Sequence, residues 1–464
     1  MSTRPAAVSP AMDKLSRHIA GALKKRPPKD VEMMARVHLV DAFAAMLSGS
    51  RLIPGQRAIA YVKPLGGTKE ACVVGTRIVT TANNAALANG MFAHADESDG
   101  AHPPTISHPD ASLVPAALAI CERERLSGTA LLRAIVLGYD VGSRVVLALD
   151  PIPLLNSGHF TAAFSQLFCS VAAASALLGL DPRRVRHALS YASQQAAGTY
   201  TMFRDTEHVE KAFGMGGMPA HNGVTAALMV AAGCTGVDDV FSGDRDFFST
   251  FAPGKIDREA LTRGLGTDYE IMRAAIKRWP AGGPIQAPLD MTHDLLKEHR
   301  FRAADVEAIT VAVSKDLVNV INNRAMTDIS LQHLVALMIV DGGLDVVSAH
   351  DHRRVRDPKI VRLKGRIAAV GSESILDARS GIMEVRLRDG RVLRAECRAA
   401  KGSYKNPLTP GEVEEKALSL IGPVLGKARA KKLVAALWAV DKLDDVRALR
   451  ALAMASGARR GAAV

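Results

Sequence analysis

From about residue 30 to residue 265 the chain passes through one alanine-rich helical pattern after another, and this run limits the fold more than any other feature. In "DVEMMARVHLVDAFAAMLSG", Asp30 is the expected N-cap, Met33, Val37, Val40, Ala44 and Leu47 fall on one face, and Gly49 supplies the stop. "TANNAALANGMFAHADES" repeats the type from Thr81. "ASLVPAALAICERERL", "GTALLRAIVLGYDVGSRVVLAL", "FSQLFCSVAAASALLGL" and "NGVTAALMVAAGC" continue it. Alanine faces let such helices approach closely in a bundle. With only 4% aromatic residues, close-packed helices are favoured over an all-β sandwich.

Near residue 270 the texture changes. "VEAITVAVS" (306–314) alternates as a half-buried strand does, and "GIMEVRLRDGRVLRAEC" signals a hairpin turning at Asp389-Gly390. Between them "DISLQHLVALMIVDGG" is helical. Helix then returns in "LTPGEVEEKALSLI", where Thr409, Pro410 and Glu412 spell a capping box. The 464 residues, 48% hydrophobic, exceed what one core usually carries. The fold expected is mainly α: a large all-helical domain (13–269 with 404–455) and a smaller α+β domain (270–403) inserted before the C-terminal helices. Residues 1–12 and 456–464 are expected to be flexible tails.

No apolar run approaches the ~20 residues that span a bilayer, and the N-terminus lacks an apolar signal region, so a cytoplasmic protein without a membrane partner is expected. Five cysteines stand far apart without a C-x-x-C pair, which suits reduced thiols. A net charge of +12 would suit nucleic acid or small polyanions. The basic residues form no stripe with interleaved aromatics, so a nucleic-acid partner is not expected. "GMGGM" follows no strand and lacks the phosphate-loop pattern, which argues against nucleotide binding.

"HADESDGAHPPTISHPD" (94–110) concentrates three histidines and four carboxylates among prolines. Pro109 suits the start of a new helix, which puts His108 at a helix N-terminus, where a bound carboxylate is favoured. A histidine there can give or take a proton near neutral pH, with Asp96 or Asp99 orienting it or serving as partner base. A polar capping loop is one competing reading. A metal site of His94, Asp96, His102 and His108 is another, although the spacing matches no standard zinc signature. An organic acid–base site suits the residues best.

The same stretch, continued by "ASLVPAALAICE" and "GYDVGSR", resembles the MmgE/PrpD family. "GLDPRRVRHALSYASQQAAGT", "IKRWPA", "LQHLVALMIVDGG" and "NPLTPGEVEEKA" follow in family order. That family includes 2-methylcitrate dehydratase, cis-aconitate decarboxylase and iminodisuccinate epimerase. The resemblance implies a helical domain with an α+β lid, a homodimer, and catalysis without cofactor or metal. It assigns catalytic roles to Asp96, His108, His159, Lys211 and Lys277. Asp99, His102, Gln286 and Arg324 are the expected substrate-binding residues, Arg324 as a cation in the segment where cis-aconitate decarboxylases carry a tyrosine. Gly100 falls where relatives often have threonine, and Gln286 where they commonly have histidine. The function implied is a lyase, either dehydratase or decarboxylase, moving a proton at carbon next to a carboxylate of a small di- or tricarboxylic acid. An epimerase or isomerase of a dicarboxylate is the alternative within the family. A metal-dependent hydrolase is the alternative outside it.

Overall fold

A computed structural model describes residues 8–454. The fold is mainly α, with a small hairpin of β1 (Ala71–Cys72) and β2 (Val79–Thr80) and one four-stranded sheet. Three long helices form the centre: Ala82–His94, Asp110–Glu124 and Thr161–Leu177. They are buried on nearly every face, which their alanine content permits. The helix Lys29–Gly49 ends at Gly49 as expected, but it opens on Pro28, so Asp30 lies in the first turn rather than at the cap. There its charge still complements the helix dipole. The helix Pro10–Gly21, capped by Ser9, takes in the last residues of the expected N-terminal tail and buries Met12. Residues 1–7 of that tail, and the C-terminal tail 456–464, lie outside the described residues.

The sheet has the order β4-β3-β5-β6, with β3 Val306–Ser314, β4 Ile367–Ser372, β5 Gly381–Leu387 and β6 Val392–Cys397. β3 pairs parallel with β4 and antiparallel with β5. The β5–β6 hairpin pairs Val385 with Leu393 and turns at Gly390, whose φ of 90° a side chain would strain. Trp279, Val311, Leu334, Met383 and Leu393 share one hydrophobic cluster beneath this sheet. The helix Pro410–Leu425 carries the capping box of Thr409 and Glu412, and it sends Val413 and Ile421 into the same cluster as Val40, Phe43 and Leu47. A fourth, smaller cluster joins Phe160, Phe203 and Met215 to Leu317 and Ile329. It lies where the helical bundle meets the segment that leads away from the sheet, and the cavity opens there.

No helix among the described residues is long and apolar enough to cross a membrane. The five cysteines are free.

Candidate active site

The helix Ala82–His94 ends at the histidine that opens the unusual stretch. Asp96 then accepts hydrogen bonds on Oδ1 from Ser98 N at 3.0 Å and Ser98 Oγ at 2.6 Å. Between them Glu97 takes the left-handed conformation, φ 53°. A non-glycine residue is held there only when its surroundings over-determine it, as happens at ligand sites. The next residues are pinned by Ala101 pairing with Ala275 and by His102 N donating to Ser107 O at 2.8 Å, around a short turn at Pro103–Thr105. The prolines thus hold the loop still, and after Pro109 the helix Asp110–Glu124 carries the chain away.

Asp99 is the hub of this loop. Its Oδ2 accepts from His94 Nδ1 at 2.9 Å and His108 Nδ1 at 3.1 Å, and its Oδ1 from Lys277 Nζ at 3.1 Å. Burial alone would raise its carboxyl, but Lys277 and the two histidines hold it well below the usual carboxylate range. The hydrogen bond from Nδ1 fixes the tautomer of His108 and leaves Nε2 as the acceptor. Burial lowers the His108 pKa against the pull of Asp99, so the imidazole is neutral at pH 7 with Nε2 free to accept a proton.

Glu97 sits among cations. Lys277 Nζ donates to its Oε2 at 2.9 Å, and the Lys211 ammonium contacts its Oε1. Lys211 comes from the short helix Val209–Ala212, which runs into a π-helical turn at Phe213–Gly217. That turn touches the helix Ala82–His94 backbone to backbone: a Cβ on Gly216 would lie 2.0 Å from the Gly90 carbonyl oxygen. The close crossing brings the lysine to Glu97. Burial pushes the Lys211 pKa down to about 7. Burial lowers Lys277 too, with Asp99 opposing. Beside them, His208 Nδ1 meets Asp328 Oδ2 at 2.7 Å.

A cavity opens onto this cluster. Glu97, His102, Ser107, His108 and Lys211 line it from the helical side, and Arg379, just before β5, lines it from the sheet side. Arg379 is only 1% exposed, and both its Nη atoms lack partners. Burial pulls its pKa down to about 10, although Asp377 and Asp99 oppose this.

The expected site residues divide. His108, Lys211 and His102 line the cavity, with Asp99 and Lys277 directly behind them. Asp96 is buried but is not on the cavity wall: the left-handed turn presents Glu97 there instead. His159 is corrected more strongly. It stands against Ser157, Phe164 and Phe251, away from the cavity, because its extended neighbour Phe160 turns its own ring to the cavity and sends His159 to the opposite side. Gln286 is not a wall residue. It accepts from Trp279 N and donates to Trp279 O and Ala281 O, which clamps the turn after Lys277. Arg324 donates to the Phe203 carbonyl at 2.5 Å and does not reach the cavity lining. Gly100 has a steric reason: a Cβ there would lie 2.0 Å from Asp110 Oδ2.

Glu97, His208, Asp328 and Arg379 were not anticipated. Glu97 lay inside the conspicuous stretch and His208 three residues before Lys211, so density of titratable groups could have flagged both. Nothing local marks Asp328 or Arg379.

Among the described residues, two sets of side chains bring ligand atoms within 4.8 Å of one another: His94, Asp99 and His108, and His94, Glu97 and His208. Neither is the metal set of the competing reading, since Asp96 and His102 are absent from both. In each set the carboxylate is already engaged by a lysine ammonium. A divalent ion would have to displace that ammonium, so the donors fit lysine better than a metal.

The MmgE/PrpD N-terminal domain family matches residues 13–259, and the MmgE/PrpD C-terminal domain family matches residues 279–440. A cis-aconitate decarboxylase-like protein, oryM, of Aspergillus oryzae is 25% identical over 92% of this chain and 93% of its own length. A cis-aconitate decarboxylase of Aspergillus terreus is 22% identical over 90% and 91%. The human cis-aconitate decarboxylase is 24% identical over 79% and 78%. With both family domains matched in order across most of its length, the chain belongs to the MmgE/PrpD family.

Proposed function

We propose that this protein is a lyase that removes water or carbon dioxide from a small di- or tricarboxylic acid by proton transfer at carbon next to a carboxylate. The observation that carries the reading is His108 on the cavity wall, with Nδ1 held by Asp99 and Nε2 left for a substrate proton. Kinship with cis-aconitate decarboxylases supports the reaction class.

In a dehydration, the C–H proton passes to His108 Nε2 and its electron pair spreads into the adjoining carboxylate. The β-hydroxyl then leaves as water with a proton from the Lys211 ammonium. In a decarboxylation, the carbon–carbon pair left by departing CO₂ is delocalised in the same way and takes a proton from the Lys211 ammonium, with the neutral His108 imidazole beside it. Both routes build charge beside a carboxylate, where preorganised cations are worth most. Lys211 and Arg379 face that position, while Lys277 behind it helps hold Asp99 below the usual carboxylate range and donates to Glu97 on the wall. None of these steps draws on a cofactor.

An epimerase, which needs proton carriers on opposite faces of the substrate carbon, is the second reading, favoured by His108 and Lys211 both lining the cavity. Incubation with citrate-like and aconitate-like acids in D₂O separates them. New alkene absorbance or released CO₂ is expected, whereas deuterium uptake without either product would replace the lyase by an epimerase. Stoichiometric zinc or manganese in protein purified without a histidine tag, together with loss of activity on chelation, would favour a hydrolase.

A further inference from the structure

The lining of the cavity falls into two chemically unlike sets. One is Glu97, His108, Lys211 and Arg379. The other is Leu155, Phe160, Phe203, Met215, Leu317 and Ile329, all buried and packed together in one hydrophobic cluster, and the two sets meet where Lys211 Nζ lies 5.6 Å from the centre of the Phe203 ring. Tyr200 extends this wall, stacked on Phe203 at 4.6 Å between ring centroids. A small, fully polar acid would leave that hydrocarbon facing water or, worse, its own carboxylates.

Charge points the same way. Asp96, Glu97, Asp99 and Asp328 are all buried here, against Lys211, Lys277 and Arg379. Lys277 is shared by two carboxylates, and Lys211 is paired with Glu97. Arg379 alone of these cations has donors without partners among the described residues. Its backbone is pinned, with N donating to Asp377 Oδ1 at 2.9 Å and O accepting from Ala400 N at 2.9 Å. A buried guanidinium needs an anion, and its planar fork suits a carboxylate. Three substrate carboxylates would meet a cluster whose own acids already outnumber its cations.

We infer that the preferred substrate is an acid with no more than two carboxylates and an apolar arm of several carbons. One carboxylate is gripped by Arg379, and the arm lies against the Phe160–Phe203 wall. This rests on the acid-lyase reading and narrows its substrate class.

The test uses the full-length protein and two measurements, turnover and calorimetric binding. The probes are itaconate-like and citraconate-like diacids bearing hydrogen, methyl, propyl or hexyl arms, with cis-aconitate as the armless triacid. Affinity is expected to rise about three- to fourfold per methylene until the wall is covered. Arg379→Met should weaken every diacid by about 10- to 100-fold, with Arg379→Lys recovering part. Val320→Gln, at a half-buried lining position, should flatten the dependence on arm length, with the urea midpoint measured alongside to show that the variant is folded. Affinity that is flat or falls with arm length, or cis-aconitate preferred over every armed diacid, overturns the inference while any turnover keeps the lyase reading. Binding that tightens with the arm, without turnover of any acid, upholds the inference and overturns the lyase. Neither binding nor turnover overturns both.

Discussion

Among the histidine–aspartate pairs of this protein, His38–Asp110 and His108–Asp99 differ in access: only the second faces the cavity. His38 Nδ1 meets Asp110 Oδ2 at 2.6 Å, and Tyr139 OH donates to Asp110 Oδ1 at 2.8 Å. All three are buried and none lines a cavity wall. His108 and Asp99 form the looser pair, at 3.1 Å, with the imidazole side chain 14% exposed. The chemistry of the groups is the same and the access differs. Burial and a carboxylate partner make a histidine structurally valuable, and a route for a small molecule makes it useful to a reaction. The sealed pair holds the start of the helix Asp110–Glu124 against the helix Lys29–Gly49, beneath the loop that presents His108.

Replacing one histidine of each pair gives the largest contrast. His108→Ala should lower kcat on the true substrate by about 10²- to 10⁴-fold with little change in the urea midpoint. His38→Ala strands a buried carboxylate and should cost about 3 kcal/mol of unfolding free energy in the same titration. Any loss of turnover should follow that instability. Full stability with a hundredfold loss of kcat in His38→Ala would move the sealed pair into the chemistry and dissolve the distinction.

Gly100 joins the two regions, so a smaller disturbance reports on both. The Cβ of Gly100→Ala would meet Asp110 Oδ2 at 2.0 Å and His38 Nδ1 at 3.0 Å. Overpacking of this kind costs about 1–3 kcal/mol. The threonine common in relatives at this place should cost at least as much here. A Gly100→Thr protein as stable as the parent would show that the sealed network is slack.

Acidity sharpens the comparison further, because only the open pair should write itself into the pH–rate profile. Lys211, with a pKa near 7, is an ammonium below that pH and an amine above it. If the ammonium is the required form, kcat/KM falls about tenfold per unit as pH rises beyond about 7. The lowered pKa of His108 sets the acid limb below the ordinary histidine value, since protonation there removes the base. Lys211→Arg, whose guanidinium keeps its charge but cannot give up a proton, should lower kcat by about 10²-fold and remove the alkaline limb from the activity that remains. A limb that stays in place in that variant belongs to another group.

The fold was legible because its signals are local. Period-two alternation marked β3 over the residues it occupies, Asp389-Gly390 marked the hairpin, and Thr409 with Glu412 marked a helix start. The site was legible where titratable residues crowd one stretch, which is how His108 and Asp99 stood out. Lys211 and Lys277 were reachable only through the family likeness. Their lone positions become a cluster when a π-helical turn crosses Gly90 and when Ala275 pairs with Ala101. Arg379 shows the limit most clearly. "LDARSG" carries no sign of a buried cation, and its place depends on a sheet edge folding over a helical bundle.

His159 gives the smallest expected effect and a direct check on side-chain direction. In "GHFTAAF" the histidine resembles a second site imidazole, yet Phe160 follows it in extended backbone, φ −105° and ψ 116°. Adjacent residues in such backbone point to opposite sides, so histidine and phenylalanine cannot both face the cavity. With the Phe160 ring packed on Phe203 at 5.0 Å, the wall claims the phenylalanine. His159→Ala should therefore change kcat/KM by less than about twofold, within the range of surface substitutions. Phe160→Ala should weaken binding of any substrate that uses the apolar wall. A His159→Ala loss approaching that of His108→Ala would mean that this segment turns over when substrate binds, exchanging the two side chains.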